Sequence, residues 1–433
     1  MATKPIQLVT VATILLLSLL LINISSGFSA STVKKRSGRN SFLQKLQHPE
    51  SFKRLPKHNN VVTPEELHEL GISLSKRKPG SNSFNRGWIQ YRTAALDSIR
   101  YHLHNNLPHE ADKSNFEELF FNLGVASDMG QMPSFEDAGA RSGYALEFFC
   151  RARNLADLYL DTYNEYFEFP QFWLEGLRES PILGGGLSGA DGNPYSMVSL
   201  GGGPGFDFVS AAVAASFSSY YVEAIRDQQE EISDDNLNIH ATILDYEEGW
   251  GDLVHSMTNS TQTLLEHSAT NLRCNWGGKC DITKPIFHPS NAACSMMLES
   301  TNLWTCQYCV AENAHKLDES KYIFFKELFQ HARPGSIFVL SEVHPRLWPN
   351  FYNLLLEEEC CCIEEVGFNK NGRQMLFRKG VADHSIQREQ QRPIMSEKDL
   401  KLLIKFEELG KYHERKIEAG WQRQEPKMRG AKE

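Results

Sequence analysis

Two regimes of apolar patterning divide the chain. Between about residues 63 and 179 the pattern is helical and rich in aromatic residues, as in 140–151, with Tyr144, Phe148 and Phe149, and 158–163, with Leu158, Tyr159 and Tyr163. That period predicts an all-helical region whose aromatic residues fill a core. From Tyr195 onward, short apolar runs alternate with longer helical stretches. Strands are predicted at 196–200, 239–244, 303–309, 336–343, 361–366 and 374–377, and helices at 206–226, 322–331 and 349–359. Alternating strands and helices imply a mostly parallel sheet covered on both faces. The last two strands are joined instead by Asn369-Lys370-Asn371-Gly372, an Asn-Gly turn signal that predicts an antiparallel hairpin. Beyond Gly380 comes a polar spacer and then a charged helix over 396–422. Ser396 and Asp399 offer a capping box there, and Leu400, Leu403, Ile404 and Phe406 are its docking candidates.

The beginning of the chain follows neither pattern. Residues 6–24 are uncharged and apolar at their centre, Lys4 precedes them, and the small residues Ser25, Ser26 and Gly27 follow. Residues 1–27 are therefore expected to be a signal peptide or a signal anchor, with membrane association through 6–24. The polar Gln7, Thr10, Thr13 and Asn23 favour cleavage. Residues 28–62 are basic, rich in hydroxyl groups and poor in acids, and begin Phe28-Ser29-Ala30-Ser31-Thr32. A signal peptide followed by such a stretch resembles the bipartite presequence of proteins imported into plastids of secondary origin. The alternative is a single-pass endomembrane anchor with a basic linker on its cytosolic side. The expected layout continues with a helical accessory region over 63–194, an α/β domain over 195–380, and a spacer and helix over 381–433.

Charge and cysteine content narrow the partners. Residues 1–60 hold nine Lys or Arg and one acid, which leaves 36 basic and 53 acidic residues, a net charge of −17, in the rest. So acidic a body repels a phosphate backbone at long range, and a small molecule or a protein is expected as partner before a nucleic acid. The nine cysteines are odd in number, and Cys360, Cys361 and Cys362 are adjacent, which suits free thiols in a reducing compartment.

The chemistry is concentrated in Ser196-Met197-Val198-Ser199-Leu200-Gly201-Gly202-Gly203-Pro204-Gly205-Phe206-Asp207. An apolar run enters a G-x-G-x-G turn and a helical pattern follows, so the backbone can bend sharply and approach a ligand at the sheet edge. A dinucleotide site wants G-x-G-x-x-G, but the third position is Phe206 counted from Gly201 and Phe208 counted from Gly203. The string Gly184-Gly185-Gly186-Leu187-Ser188-Gly189 fits that pattern, yet Asn193-Pro194 soon after does not open a helix, so it reads as a loop.

The G-x-G-x-G turn resembles motif I of the class I S-adenosylmethionine-dependent methyltransferases, and the likeness spans about 195–380. It implies a Rossmann-like seven-stranded sheet with an antiparallel C-terminal hairpin, and S-adenosylmethionine as cofactor. By that resemblance Gly201, Gly203 and Gly205 underlie the cofactor. Asp245, at the end of the next strand, accepts its ribose hydroxyls. Tyr246 packs on the adenine, Asp281 takes the adenine amino group, and Ile282 lines the ring. Glu312 and Asn313, after the fourth strand, are the candidates to face the transferred methyl group. Asp245 lies 40 residues past Gly205, and the polar insertion at 227–235 accounts for the long spacing. One departure is Ser199, where the family usually carries an acid that orders the loop.

Three other readings compete with this one. A non-enzymatic pseudo-methyltransferase, serving as an adenosyl-ligand sensor or scaffold, draws support from Ser199. An NAD-dependent oxidoreductase would require the dinucleotide register. A zinc site at Cys306-x-x-Cys309 with Cys274 and Cys280 is disfavoured, because residues i and i+3 of a strand over 303–309 point to opposite faces. The histidines at 102, 104, 109, 240 and 344 show no metal-ligand spacing, and neither a phosphate loop nor a G-x-S-x-G elbow occurs.

Overall fold

The computed structural model describes residues 61–77, 81–129, 134–161, 195–226, 237–268, 270–357, 363–369, 371–380 and 393–419. The expected presequence over 1–60, the loop at 184–189, the insertion at 227–235 and Cys360, Cys361 and Cys362 lie outside the described residues.

Seven strands form one sheet: β1 (Tyr195–Leu200), β2 (Leu237–Asp245), β3 (Thr270–Lys279), β4 (Leu303–Gln307), β5 (Ile337–Ser341), β6 (Ile363–Phe368) and β7 (Gln374–Lys379). Their order is β3-β2-β1-β4-β5-β7-β6. All neighbours are parallel except β7, which runs antiparallel to both β5 and β6. The fold is thus the Rossmann-like α/β class with an antiparallel hairpin at one end. β1, β4 and β5 are nearly continuous in apolar residues because helices cover both faces. The turn after β6 closes as its Asn-Gly signal predicts, with Gly372 at φ +69° donating its N–H to the Asn369 carbonyl at 2.9 Å.

Two elements escape the apolar pattern. β3 is an edge strand: Asn271, Arg273, Asn275 and Lys279 are exposed while Leu272 is buried, so polar residues outnumber the buried ones that would reveal a strand. Helix Gly251–Leu264, rich in Ser, Thr and Asn, hides its apolar positions in the same way. Boundaries also move. The run expected at 303–309 ends as a strand at Gln307, and that at 336–343 spans Ile337–Ser341. The last helix before the hairpin spans Trp348–Leu355, and the sixth strand begins at Ile363.

The N-terminal helices are α1 (Pro64–Ser75), α2 (Asn82–Asn105), α3 (Lys113–Met129), α4 (Ala138–Glu147) and α5 (Cys150–Asp161). They share one apolar core with α6 (Phe206–Arg226), α7 (Gly251–Leu264) and the adjoining sheet face. Phe217 of α6 lies 5.1 Å from Trp88 and 5.2 Å from Tyr91, and the Tyr91 hydroxyl meets Ser216 Oγ at 2.7 Å. The opposite face carries α8 (Ala292–Ser295), α9 (Ala314–Glu319), α10 (Ile323–His331) and α11 (Trp348–Leu355), around Phe325, Phe329, Phe338, Phe351 and Phe377.

The C-terminal helix α12 (Glu397–Glu418) begins where its capping box predicts, with the Asp399 N–H donating to Ser396 Oγ at 3.1 Å. Of its docking candidates, Phe406 is buried and Leu403 partly so. Leu400 and Ile404 are exposed, a correction to the expected docking face. Among the described residues, no helix is long and apolar enough to cross a membrane.

Candidate functional site

Strand order reverses between β1 and β4, so the loops leaving their C-terminal ends part and open a crevice, the usual ligand position in such sheets. Register sets Leu200 level with Leu244 on one side and Cys306 on the other. The loop after β1, the end of β2 and the end of β4 therefore meet at one edge.

Gly201, Gly203 and Gly205 have φ of +61°, +48° and +94°, backbone states that residues with a Cβ resist. A Cβ on Gly201 would lie 2.8 Å from Cys309 Sγ, and one on Gly203 would stand 3.7 Å from the Trp250 indole. The bend is fastened to β2 by Gly203 N–H donating to Asp245 Oδ2 at 2.9 Å and Gly202 N–H donating to the Leu244 carbonyl at 3.2 Å. The Glu247 amide donates to Asp245 Oδ1 at 3.0 Å. Each carboxylate oxygen keeps a lone pair for a further donor. Burial raises the Asp245 carboxyl to about 6, against the pull of these amides.

Ser199 is not without an acid. Its hydroxyl donates to Asp207 Oδ2 at 2.7 Å, and Thr305 Oγ1 and Gln307 Nε2 also donate to the same carboxylate. Asp207 sits in the first turn of α6 and is 1% exposed. It supplies from beyond the loop the negative charge absent at position 199. Burial pushes its carboxyl up, while its three donors hold it down.

The accessory helices close over this bend. Trp250 packs on Phe135 at 5.2 Å and Tyr144 at 5.6 Å, and Tyr144 stacks on Phe206 at 6.3 Å. Arg151, at the start of α5, lies over the rings of Tyr308 at 4.3 Å and Phe148 at 4.4 Å and donates to the Tyr144 hydroxyl. Tyr308 has a left-handed backbone, φ +61°, costly for so bulky a residue. Its hydroxyl accepts from Asn154 Nδ2 at 2.6 Å, and its N–H donates to the Ser341 carbonyl at 2.7 Å. Facing Arg151 are Glu312, which keeps some exposed surface, and Glu342, which is 1% exposed. Burial lifts the Glu312 carboxyl to about 8 and that of Glu342 to about 7, with Arg151 opposing both.

The sequence-predicted residues fall unevenly around this centre. Ser199, Gly201, Gly203, Gly205 and Asp245 converge at the bend. Tyr246 is half-buried, and Ile282 is buried beside Asp281. Asp281 Oδ1 accepts the Thr283 amide at 3.0 Å and its hydroxyl at 2.6 Å, and buried Asn291 ties the loop down by donating to the Asp281 carbonyl. Asn313 folds back on its own turn, Nδ2 donating to the Cys309 carbonyl at 2.7 Å, so it shapes the loop that carries Glu312. The opposite-face argument about Cys306 and Cys309 fails: β4 ends at Gln307 and left-handed Tyr308 turns the chain, so the two thiols come close enough to influence each other's titration. Among the described residues, no cluster of three or more His, Cys, Asp or Glu could hold a metal. Sequence reasoning missed Asp207, Trp250, Tyr308, Tyr144 and Arg151. Only Asp207, two residues past the last glycine, stood beside a signal that could have found it.

No protein-family model and no characterised protein sequence matches the chain. Among solved structures it is similar to an O-methyltransferase family protein from Burkholderia thailandensis, at 12% identity over 80% of this chain and 96% of that one, with a TM-score of 0.36. It is also similar to the mitomycin 7-O-methyltransferase MmcR, at 11% identity over 71% of this chain and 75% of that one, TM-score 0.33. A third is the DszA carbon methyltransferase, at 13% identity over 80% of this chain and 94% of that one, TM-score 0.26. Likeness at this level is too distant to assign an activity, and the functional reading rests on the site itself.

Proposed function

We propose that the chain is an S-adenosylmethionine-dependent methyltransferase whose methyl donor lies over the 201–205 bend. The observation that carries this reading is the Asp245 carboxylate joined to Gly203 N–H at 2.9 Å, where the strand order reverses. Two features fit the donor. Gly203 leaves open the space beside Trp250, whose buried indole N–H has no protein acceptor and suits a ligand oxygen. The carboxyls of Asp207, Glu312 and Glu342 lie within electrostatic reach of the Arg151 guanidinium, and a cationic sulfonium would bring further positive charge to carboxyls that burial otherwise keeps protonated.

In this reading Asp245 accepts the sugar hydroxyls, Tyr246, Asp281 and Ile282 hold the adenine, and the bend carries the methionine portion. The bound donor supplies an electrophilic methyl group. The protein's part is to hold the acceptor in line with it and to exclude water, which Tyr144, Phe148 and Tyr308 favour by walling the recess. A dinucleotide fits less well, because Asp207 occupies the start of α6, where a pyrophosphate would need a helix N-terminus free of negative charge. The acceptor is a small molecule or a protein before a nucleic acid.

Calorimetry with S-adenosylmethionine, its demethylated product and NAD tests the proposal. Binding of the first two is expected; binding of NAD alone would overturn it. Donor binding without any turnover to the demethylated product would favour the sensor reading. As to destination, the proposal is a signal peptide cleaved near Gly27 followed by plastid import, tested by sequencing the N-terminus of the mature protein.

A further inference from the structure

We propose that Glu312, Glu342 and Arg151 form one acid–base unit, in which Glu312 takes the proton of a hydroxyl or amine acceptor while Glu342 and Arg151 position it. The acceptor class then consists of protic oxygen and nitrogen nucleophiles, not molecules that arrive as anions. This rests on the methyltransferase reading and goes beyond it by naming the chemistry of the second substrate.

The geometry comes from both sides of the crevice. After β4, left-handed Tyr308 reverses the chain, so residues 309–313 fold back beneath the exit of β5. There Glu342 Oε1 accepts the Ala311 amide at 2.8 Å, and the amides of Val310 and Val343 add to the pull that this bond exerts on the carboxyl. Glu342 is thus spent on the backbone that carries Glu312, and fixes where that side chain stands. From the helical side, Arg151 is held by Tyr144, Phe148 and Tyr308, close enough for its charge to act on both glutamates.

The charged and titratable groups facing Glu312 are Arg151 from α5, Tyr144 from α4, Asp245 from β2, Cys309 from its own loop and Glu342 from β5. One guanidinium cannot offset three carboxylates, so the recess favours taking up a proton, and Glu312, the most exposed of the three, is the group left for an acceptor once Asp245 is engaged with the donor. Its carboxyl, lifted by burial to about 8, is matched to proton transfer near neutrality. In the step itself, the lone pair of an O–H or N–H acceptor forms the new bond to the methyl carbon. The carbon–sulfur bond breaks with its electrons left on sulfur, and the acceptor's proton passes to Glu312 in its ionised form, which a cationic donor nearby would favour. A carboxylate or thiolate acceptor has no proton to give and meets like charge.

The test is infrared titration of carboxyl groups in the full-length protein without donor, from pH 5 to 9. In the wild type, one protonated carboxyl is expected to persist above pH 7. Glu312→Gln removes that component. Glu342→Gln shifts its midpoint down, because a like charge is lost, and Arg151→Met shifts it up. A purely structural role for Glu342 or Arg151 would leave the midpoint in place. An unchanged titration in Glu312→Gln, or shifts of the opposite sign in the other two, overturns the proposal. Since no donor is present, this outcome stands apart from whether S-adenosylmethionine binds. With donor added and phenol, benzylamine and benzoate as probes, faster methylation of benzoate than of the other two would also overturn it.

Discussion

At the scale of single residues, the site is held by contacts that leave little room for change. Gly201→Ala would place a methyl group 2.8 Å from Cys309 Sγ on a backbone at φ +61°, so it is expected to cost about 1–3 kcal/mol. Donor binding should be lost with it. Denaturant melts and calorimetry check both, and a second change, Cys309→Ala, should recover part of the stability by removing the clash while the backbone strain stays. Asp245→Asn keeps the shape and removes the charge. A hydrogen bond to a charged group is worth about 1.5–3 kcal/mol, so donor affinity should fall about tenfold or more. The melting temperature of the donor-free variant should fall modestly as well, since an amide offers one acceptor oxygen where the carboxylate serves the Gly203 and Glu247 amides with two.

At the scale of elements, legibility in the sequence followed burial. β1, β4 and β5 stood out because both their faces are covered, and α6 because Phe208, Ala212 and Val213 repeat at helical spacing. β3 and α7 did not, because one lies at the sheet edge and the other is dominated by Ser, Thr and Asn. The site was half legible for a related reason. Glycines and the acid after a strand announce themselves locally, whereas Arg151 and Tyr144 reach the crevice only through the packing of α4 and α5, which no local pattern encodes. The tail helix shows how one residue can dock an element. Phe406 is 3% exposed, lies 5.3 Å from Phe368 and fills the space a side chain at Gly372 would need. Phe406→Ala is expected to cost about 3 kcal/mol in denaturant unfolding, the usual penalty for emptying a buried phenylalanine site.

For the molecule as a whole, the crowded carboxylates couple stability to pH. Asp245, Glu342 and Glu312 hold their protons more tightly when folded than when unfolded, so their contribution is fully present below about pH 4. It is lost as pH rises through about 6, 7 and 8 in turn. The donor-free protein should therefore melt at progressively lower temperature from pH 6 to 9. A cationic donor should raise the melting temperature more at pH 8.5 than at pH 6, and differential scanning fluorimetry at several pH values would show it. The polar rim of β3 has a separate consequence for association. An open strand margin invites another chain to hydrogen-bond alongside, and Arg273 and Lys279 stand on it as charges that a docking neighbour would have to strip of water. Exchanging both for valine would turn that margin into a seam along which copies zip together, visible as rising light scattering in a protein that is otherwise folded.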